Sequence, residues 1–330
     1  MHVICLRRDF VTPADQTRNA YRFTIATMNA NLPSPDAKKA YLTGLAIALT
    51  GAILFSTKAI VAKLIYRYQV DAVTLITFRM AFSLPVFAII AVWHASKSAP
   101  LPWAERWRLI GLGLTGYYLS SFLDFLGLQY ISAGLERLIL FLTPSFVLLV
   151  SSMVYRRAVS GLEWAALALS YMGIILVFLH DLKFGGDQVL LGSSMVLGAA
   201  ISYAIYLLQS GQLVRQIGSV RLVSYAMCVS SAACIGQFFV LRPVSMLVQP
   251  VEVYGLSLIN ALFCTVLPVF MTMIAVQKIG AATASQAGMI GPVSTLFLAA
   301  AFLGEPINIW QIGGTILVMG GMYLLSKKKI

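Results

Sequence analysis

Ten apolar stretches separated by short polar segments fill the chain, near residues 41–65, 72–93, 108–129, 132–154, 161–180, 189–210, 220–241, 254–277, 280–303 and 308–326. A helix needs about 20 apolar residues to cross a hydrocarbon core of about 30 Å, and each stretch is close to that length. Lipid offers no partners to backbone N–H and C=O groups, so a spanning segment must be a helix or a strand of a closed barrel. These runs are continuous and do not alternate with a period of two, which selects helices. Composition agrees: 11% of the residues are charged and 59% hydrophobic, whereas soluble domains are about a quarter charged. The expectation is an all-α polytopic membrane protein.

A formal net charge of +12 would suit a nucleic-acid binder, but its distribution points elsewhere. With the first residues inside, the inner loops and tails hold Lys38, Lys39, Lys97, Arg106, Arg108, Arg156, Arg157, Arg215, Arg221, Lys278 and Lys327 to Lys329. The outer loops hold only Lys63, Arg67, Lys183 and Arg242. Thirteen against four is the positive-inside pattern, with both termini cytoplasmic and no need of nucleic acid as a partner. The expected setting is the lipid bilayer of a bacterial inner membrane, crossed many times. Residues 1–40 are expected to be a cytoplasmic tail, lacking the apolar core of about 7–15 residues that a signal peptide requires. Within it Met28 is a natural start, which would make residues 1–27 dispensable. Residues 327–330 form a short basic tail. Of the cysteines Cys5, Cys228, Cys234 and Cys264, the last three lie inside apolar runs without CxxC spacing, as small core residues do.

An internal repeat narrows the architecture further. Leu128-Gln-Tyr-Ile-Ser-Ala133 matches Val276-Gln-Lys-Ile-Gly-Ala281, and the same offset of 148 residues brings Pro144 onto Pro292, Gly44 onto Gly192, Phe122 onto Phe270 and Gly173 onto Gly321. One register thus covers five spans in each half. Five is odd, so the second copy enters the membrane from the opposite side, and the halves form an inverted repeat of the kind found in transporters. The boundaries are 41–180 and 189–326, joined by an outer loop at 181–188.

Three features carry a resemblance: Leu128-Gln-Tyr-Ile-Ser-Ala-Gly-Leu-Glu-Arg-Leu-Ile-Leu-Phe-Leu-Thr-Pro144, Gly291-Pro292 with Phe302-Leu-Gly-Glu-Pro306, and the pair Gly313-Gly314. Over residues 41–326 the chain resembles the EamA-type branch of the drug/metabolite transporter (DMT) superfamily. The resemblance implies two EamA-like five-helix repeats around a central cavity, alternating access, and export of metabolites or amino acids. One departure is visible: Gly304-Glu305 is matched in the first half by Arg156-Arg157.

Ionisable residues at membrane depth are costly and therefore functional candidates. Lys58, Arg79, Asp124, Glu136 and Arg137 qualify, and helix rise puts all five in the outer half. Their counterparts 148 residues on are Tyr206, Met227, Thr272, Ala284 and Ser285, all neutral. Either the first half uses its charges for transport, or Arg79 and Arg137 pair with Asp124 and Glu136 to lock an outer gate. Lys58 has no carboxylate one helical turn away. Tyr117, Ser121 and Asp124 recur at i, i+4, i+7 on one face of the third span. Tyr203, Tyr206 and Gln209 offer a similar pattern in the sixth, and Gln286 could reach the same cavity from the ninth. Each of these aromatic residues either lines a pocket or only packs. Pro144 and Pro292 free one carbonyl each at matched sites, as a pair of hinges or as static kinks.

No GxxxxGK[ST] occurs, His2, His94 and His180 fall at or beyond the ends of the apolar runs, and HExxH is missing, so neither ATP, a metal nor another cofactor is expected. The reading that follows is a secondary carrier of small organic solutes such as amino acids, exporting them by alternating access. Its cavity is bounded by spans 1, 3, 4, 6, 8 and 9. A surplus of positive charge there favours a carboxylate, with tyrosines against the apolar part of the solute. If a proton is coupled, Asp124 or Glu136 carries it, because removal from water favours the neutral carboxyl. The competing readings are a passive channel and a membrane-embedded enzyme or lipid-handling scaffold.

Overall fold

The computed structural model describes residues 35–156 and 158–327. The expected start at Met28 and most of the first tail lie outside them. Among the described residues ten helices are long and apolar enough to cross a membrane: α1 (Lys39–Tyr66), α2 (Ala72–Lys97), α3 (Trp103–Leu128), α4 (Ala133–Val154), α5 (Gly161–Lys183), α6 (Gly186–Ile217), α7 (Ser219–Leu241), α8 (Val251–Gly280), α9 (Thr283–Leu303) and α10 (Ile309–Ser326). No strand occurs among these residues.

Several helices outrun the apolar stretches. The third begins at Trp103 instead of 108, and the sixth continues to Ile217 instead of 210. Hydropathy drops where side chains turn polar, whereas the i→i−4 ladder continues into the interface until a breaker or cap stops it. His94 and His180, expected at or beyond the span ends, accordingly lie near the ends of α2 and α5. The connection expected over 181–188 shrinks to a turn at Gly186, whose φ of 56° suits a residue without Cβ.

Helix contacts repeat with the sequence register. Gly44 lets α1 approach Lys278 and Ile279 of α8; its equivalent, Gly192, lets α6 approach Gly127 of α3 and Tyr130 and Ile131 just after it. Gly173 of α5 faces the carbonyl of Gly314 on α10, and its equivalent, Gly321, faces Ala166 and Ser170 of α5. In lipid, helices associate through close van der Waals contact, which small residues permit. A Cβ on Gly173 would stand 2.7 Å from that carbonyl and 2.9 Å from Leu317 Cβ, so Gly173→Val should cost about 1–3 kcal/mol. It should melt several degrees lower in detergent; an unchanged melting temperature would mean that α5 and α10 can part freely.

Much of the irregular backbone also falls in pairs, apart from a π-helical turn at Ala299–Leu303 that ends α9. A π-helical turn interrupts α3 at Leu114–Leu119 and α8 at Leu262–Val266, with first residues 148 apart. Helix α4 breaks at Phe141–Leu142 and α9 at Gly288–Met289, each just before its proline. Pro144 has no N–H for the Leu140 carbonyl, which accepts the Thr143 hydroxyl instead at 2.7 Å. Pro292 likewise frees the Gly288 carbonyl, which accepts from Gly291 N at 3.0 Å.

Candidate functional site

The five buried charges converge from four helices. Lys58 of α1 meets two carboxylates: its Nζ donates to Asp124 Oδ2 of α3, and it lies 3.2 Å from Glu136 Oε1 of α4 without hydrogen-bond geometry to it. Arg79 of α2 donates from Nε to Thr265 Oγ1 of α8 at 2.8 Å, and the Thr265 hydroxyl in turn donates a hydrogen bond to the Asn260 carbonyl at 2.9 Å. Arg137, on α4, has no carboxylate within ion-pair distance among the described residues. Its guanidinium lies 5.1 Å from the Phe55 ring centre, as that of Arg79 lies 5.0 Å from Phe125. Lys58 shares both rings, at 5.5 and 5.4 Å. Two phenylalanines thus carry three cations, which spreads positive charge over ring faces where lipid-depth solvation is missing.

This pairing corrects the expectation for Arg79 and Arg137. The acids are taken by Lys58, which reaches across helices to residues 66 positions or more away in sequence. The arginines keep donors to spare: among the described residues Arg79 Nη1 and Arg137 Nε are buried without a hydrogen-bond partner, as are Asp124 Oδ1 and both oxygens of Glu136.

A cavity of about 200 Å³ opens among them. Lys58, Arg79, Tyr117, Ser121, Asp124, Arg137 and Tyr203 line it, so the α3 stripe and the cations face one space. Glu136 stands behind Lys58 and is fully buried. The wall also takes Arg79 from α2, Met227 from α7, and Thr265 and Val269 from α8. Helices α2 and α7, absent from the expected boundary, therefore contribute, whereas α9 supplies no lining residue.

Three residues expected at the cavity are elsewhere. Tyr206 packs its ring over Gly116, with its hydroxyl 3.3 Å from that of Tyr117, and so supports the wall from behind. Gln209 is exposed and offers its carbonyl to Arg108 at 2.9 Å. Steps of three residues rotate by 60° per step on a 3.6-residue helix, so Tyr203, Tyr206 and Gln209 drift off a common face. Gln286 is exposed and does not line this cavity, while its neighbours Ala284 and Ser285 wall a different one. Sequence reasoning missed Phe55, Phe141, Thr143 and Thr265. The repeat register held one signal, since Thr265 is the counterpart of Tyr117.

Gly304-Glu305 and Arg156 also acquire a physical account. Gly304 (φ 72°) and Arg156 (φ 50°) each close a helix in the left-handed conformation. Glu305 then ties three segments, lying 3.5 Å from Lys63 and accepting from Ala133 N at 3.2 Å, where it caps α4. Proline positions 144 and 292 lie in the second halves of the broken α4 and α9, beside the cavity level.

Comparison with known proteins gives a consistent result. The family pattern described as "EamA-like transporter family" matches twice, over residues 42–179 and 190–327. "Uncharacterized transporter YcbK" of Bacillus subtilis is 29% identical over 296 residues, covering 84% of this chain and 92% of that protein. "Uncharacterized transporter sll1319" of Synechocystis is 23% identical, covering 88% and 94%. A protein of known crystal structure superposes with a TM-score of 0.62 at 15% identity, covering 86% of this chain and 96% of the other, a likeness of fold alone.

Proposed function

Because the chain belongs to the EamA-like transporter family, matched once in each half, we propose that it is a secondary carrier exporting a small zwitterionic metabolite, an amino acid or a close analogue, across the bacterial inner membrane. The observation that carries this reading is the set of buried polar atoms left without hydrogen-bond partners among the described residues: two guanidinium donors, Arg79 Nη1 and Arg137 Nε, and as acceptors Asp124 Oδ1 and, behind Lys58 and in ion-pair contact with it, the Glu136 carboxylate. Such a set complements a solute that brings both a carboxylate and an ammonium. Its carboxylate bridges the arginines. Its ammonium takes Asp124, and Lys58 shifts its contact to Glu136. Buried polar groups left unpaired are costly enough to reject solutes lacking either charge. A volume of about 200 Å³ is below the roughly 300–1,000 Å³ of pockets for drug-sized ligands, which restricts the cargo to small metabolites. Leu140, Phe141 and Val269 give its side chain an apolar wall.

Coupling follows from competition. A proton on Asp124 removes the partner of the ammonium, so proton and solute exclude one another, and inward proton flow drives the solute out by alternating access. The paired breaks in α4 and α9, at Pro144 and Pro292, serve as the hinges.

The sign of the pH effect separates this from a purely anionic cargo. Acidification should weaken binding of an amino acid, whereas it should strengthen binding of a simple carboxylic acid, because neutralising an acid raises the positive charge of the site. Thermal stabilisation of the purified protein by a panel of amino acids and their des-amino analogues, at two pH values, reads this directly. Stabilisation by neither class would reject the zwitterion reading. Currents without saturation would favour a channel, while countertransport of labelled solute supports a carrier.

A further inference from the structure

A second cavity, of about 340 Å³, lies toward the end of the bundle that carries Lys39 and Lys278, walled by Thr272 of α8, Ser285 and Met289 of α9 and Pro144 of α4. It shares three side chains with the first: Phe55, Arg137 and Phe141. Those three are the partition between the chambers. Two of them, Phe55 and Arg137, are in ring-to-guanidinium contact at 5.1 Å. The third sits at the break of α4, and the break of α9 at Gly288–Met289 is in the wall of the second chamber.

The seat of Arg137 explains an otherwise bare position. Its guanidinium lies against Gly291, where a Cβ would stand 3.1 Å from Nε, 3.2 Å from Cζ and closer still to Nη2. The Gly291 carbonyl accepts from Ser56 at 3.2 Å and from Thr295 at 3.1 Å, so α1 and α9 hold this notch fixed. Arg137 is therefore a cation with a Nε that has no hydrogen-bond partner among the described residues, facing two chambers, in a socket that a Cβ at position 291 would crowd.

We infer that the second cavity is a further binding station for the solute's carboxylate, and that Arg137 serves both stations while its guanidinium, with Phe55 and Phe141, closes the passage between them. Gly291 is the positioning residue. A carboxylate arriving in the second chamber meets the hydroxyls of Thr272 and Ser285 and the same guanidinium it uses in the first. Movement at the two helix breaks then transfers it without leaving the arginine unpaired. The inference rests on the carboxylate reading for its ligand, but its geometry can be tested without any solute.

The experiment uses the full chain in proteoliposomes, with Cys5, Cys228, Cys234 and Cys264 replaced by serine, and Ser121→Cys or Ser285→Cys introduced singly. A membrane-impermeant methanethiosulfonate is applied to each face, since thiol modification follows exposure. The position 285 thiol should react from one face and the position 121 thiol about tenfold more slowly from that face. Arg137→Ala, or independently Phe55→Ala, should remove that difference, and Gly291→Ala should act in the same direction while keeping the charge. Acetate should slow labelling at 285, its neutral isostere acetamide should not, and Arg137→Ala should abolish the acetate effect. Equal rates at 121 and 285 in the parent, or a protected position 121 in all three variants, would overturn the partition. Acetate without effect at 285 would overturn the second station even where amino acids stabilise the protein, which would leave the first site standing.

Discussion

Replacing Lys58 by methionine should lower the melting temperature more than any other single change in the bundle. Lys58, Asp124 and Glu136 are 4%, 4% and 0% exposed. Removing the ammonium leaves two carboxylates facing each other at membrane depth with nothing of opposite sign in contact. Breaking a buried ion pair from one side costs about 3–5 kcal/mol, and at about 2 °C per kcal/mol for a chain of this size the drop is roughly 6–10 °C. Neutralising the acids as well, in Lys58→Met with Asp124→Asn and Glu136→Gln, should recover most of the loss. The second half folds with Tyr206, Thr272 and Ala284 at the three equivalent positions, so the scaffold has no need of these charges. Differential scanning fluorimetry in detergent measures both variants. A triple variant as unstable as the single one would assign the loss to packing around the lysine stem instead of to charge.

Asp124→Asn should change what the protein carries. If Asp124 holds the solute's ammonium, its loss removes one partner of a buried charge pair, about 2–4 kcal/mol, so that amino-acid binding weakens roughly 30- to 700-fold. The des-amino analogue should bind as well as before or better, since the site has gained a unit of positive charge. Countertransport of the amino acid should lose its dependence on a proton gradient. Arg79→Gln, by contrast, should weaken both solutes together, because it removes a donor that each uses. Isothermal titration with the pair of solutes distinguishes the outcomes. Equal losses for both in Asp124→Asn would remove Asp124 from the ammonium site, and unchanged coupling would remove it from proton exchange.

The two cases mark where the sequence was legible. Lys58, Asp124 and Glu136 stood out because a charge in an apolar run is anomalous wherever it sits, and the neutral equivalents in the other half sharpened the anomaly. Their mutual contact was not legible. Local spacing finds partners one turn away, and Lys58 has none there; its partners are on α3 and α4. The stripe of Tyr117, Ser121 and Asp124 was readable because steps of four and three stay on one helical face, whereas Tyr203, Tyr206 and Gln209 were grouped by steps of three that leave it. The π-helical turns in α3 and α8 add residues to their turns without any compositional mark, and Gly291 looks like any small residue until Arg137 is seen against it.

The sequence by itself determined the number and kind of elements, their division at a constant offset of 148 and, through five being odd, their inversion. Those properties depend on run length and period, which every residue reports through its own transfer between water and lipid. Tertiary structure alone decided that the lysine, not the arginines, neutralises both acids, that two guanidiniums keep unspent donors, and that one of them stands between two chambers. Pairing at membrane depth is a competition among all charges that the packed helices bring within a few ångströms, and that distance is fixed by glycine contacts and helix breaks far away in the chain.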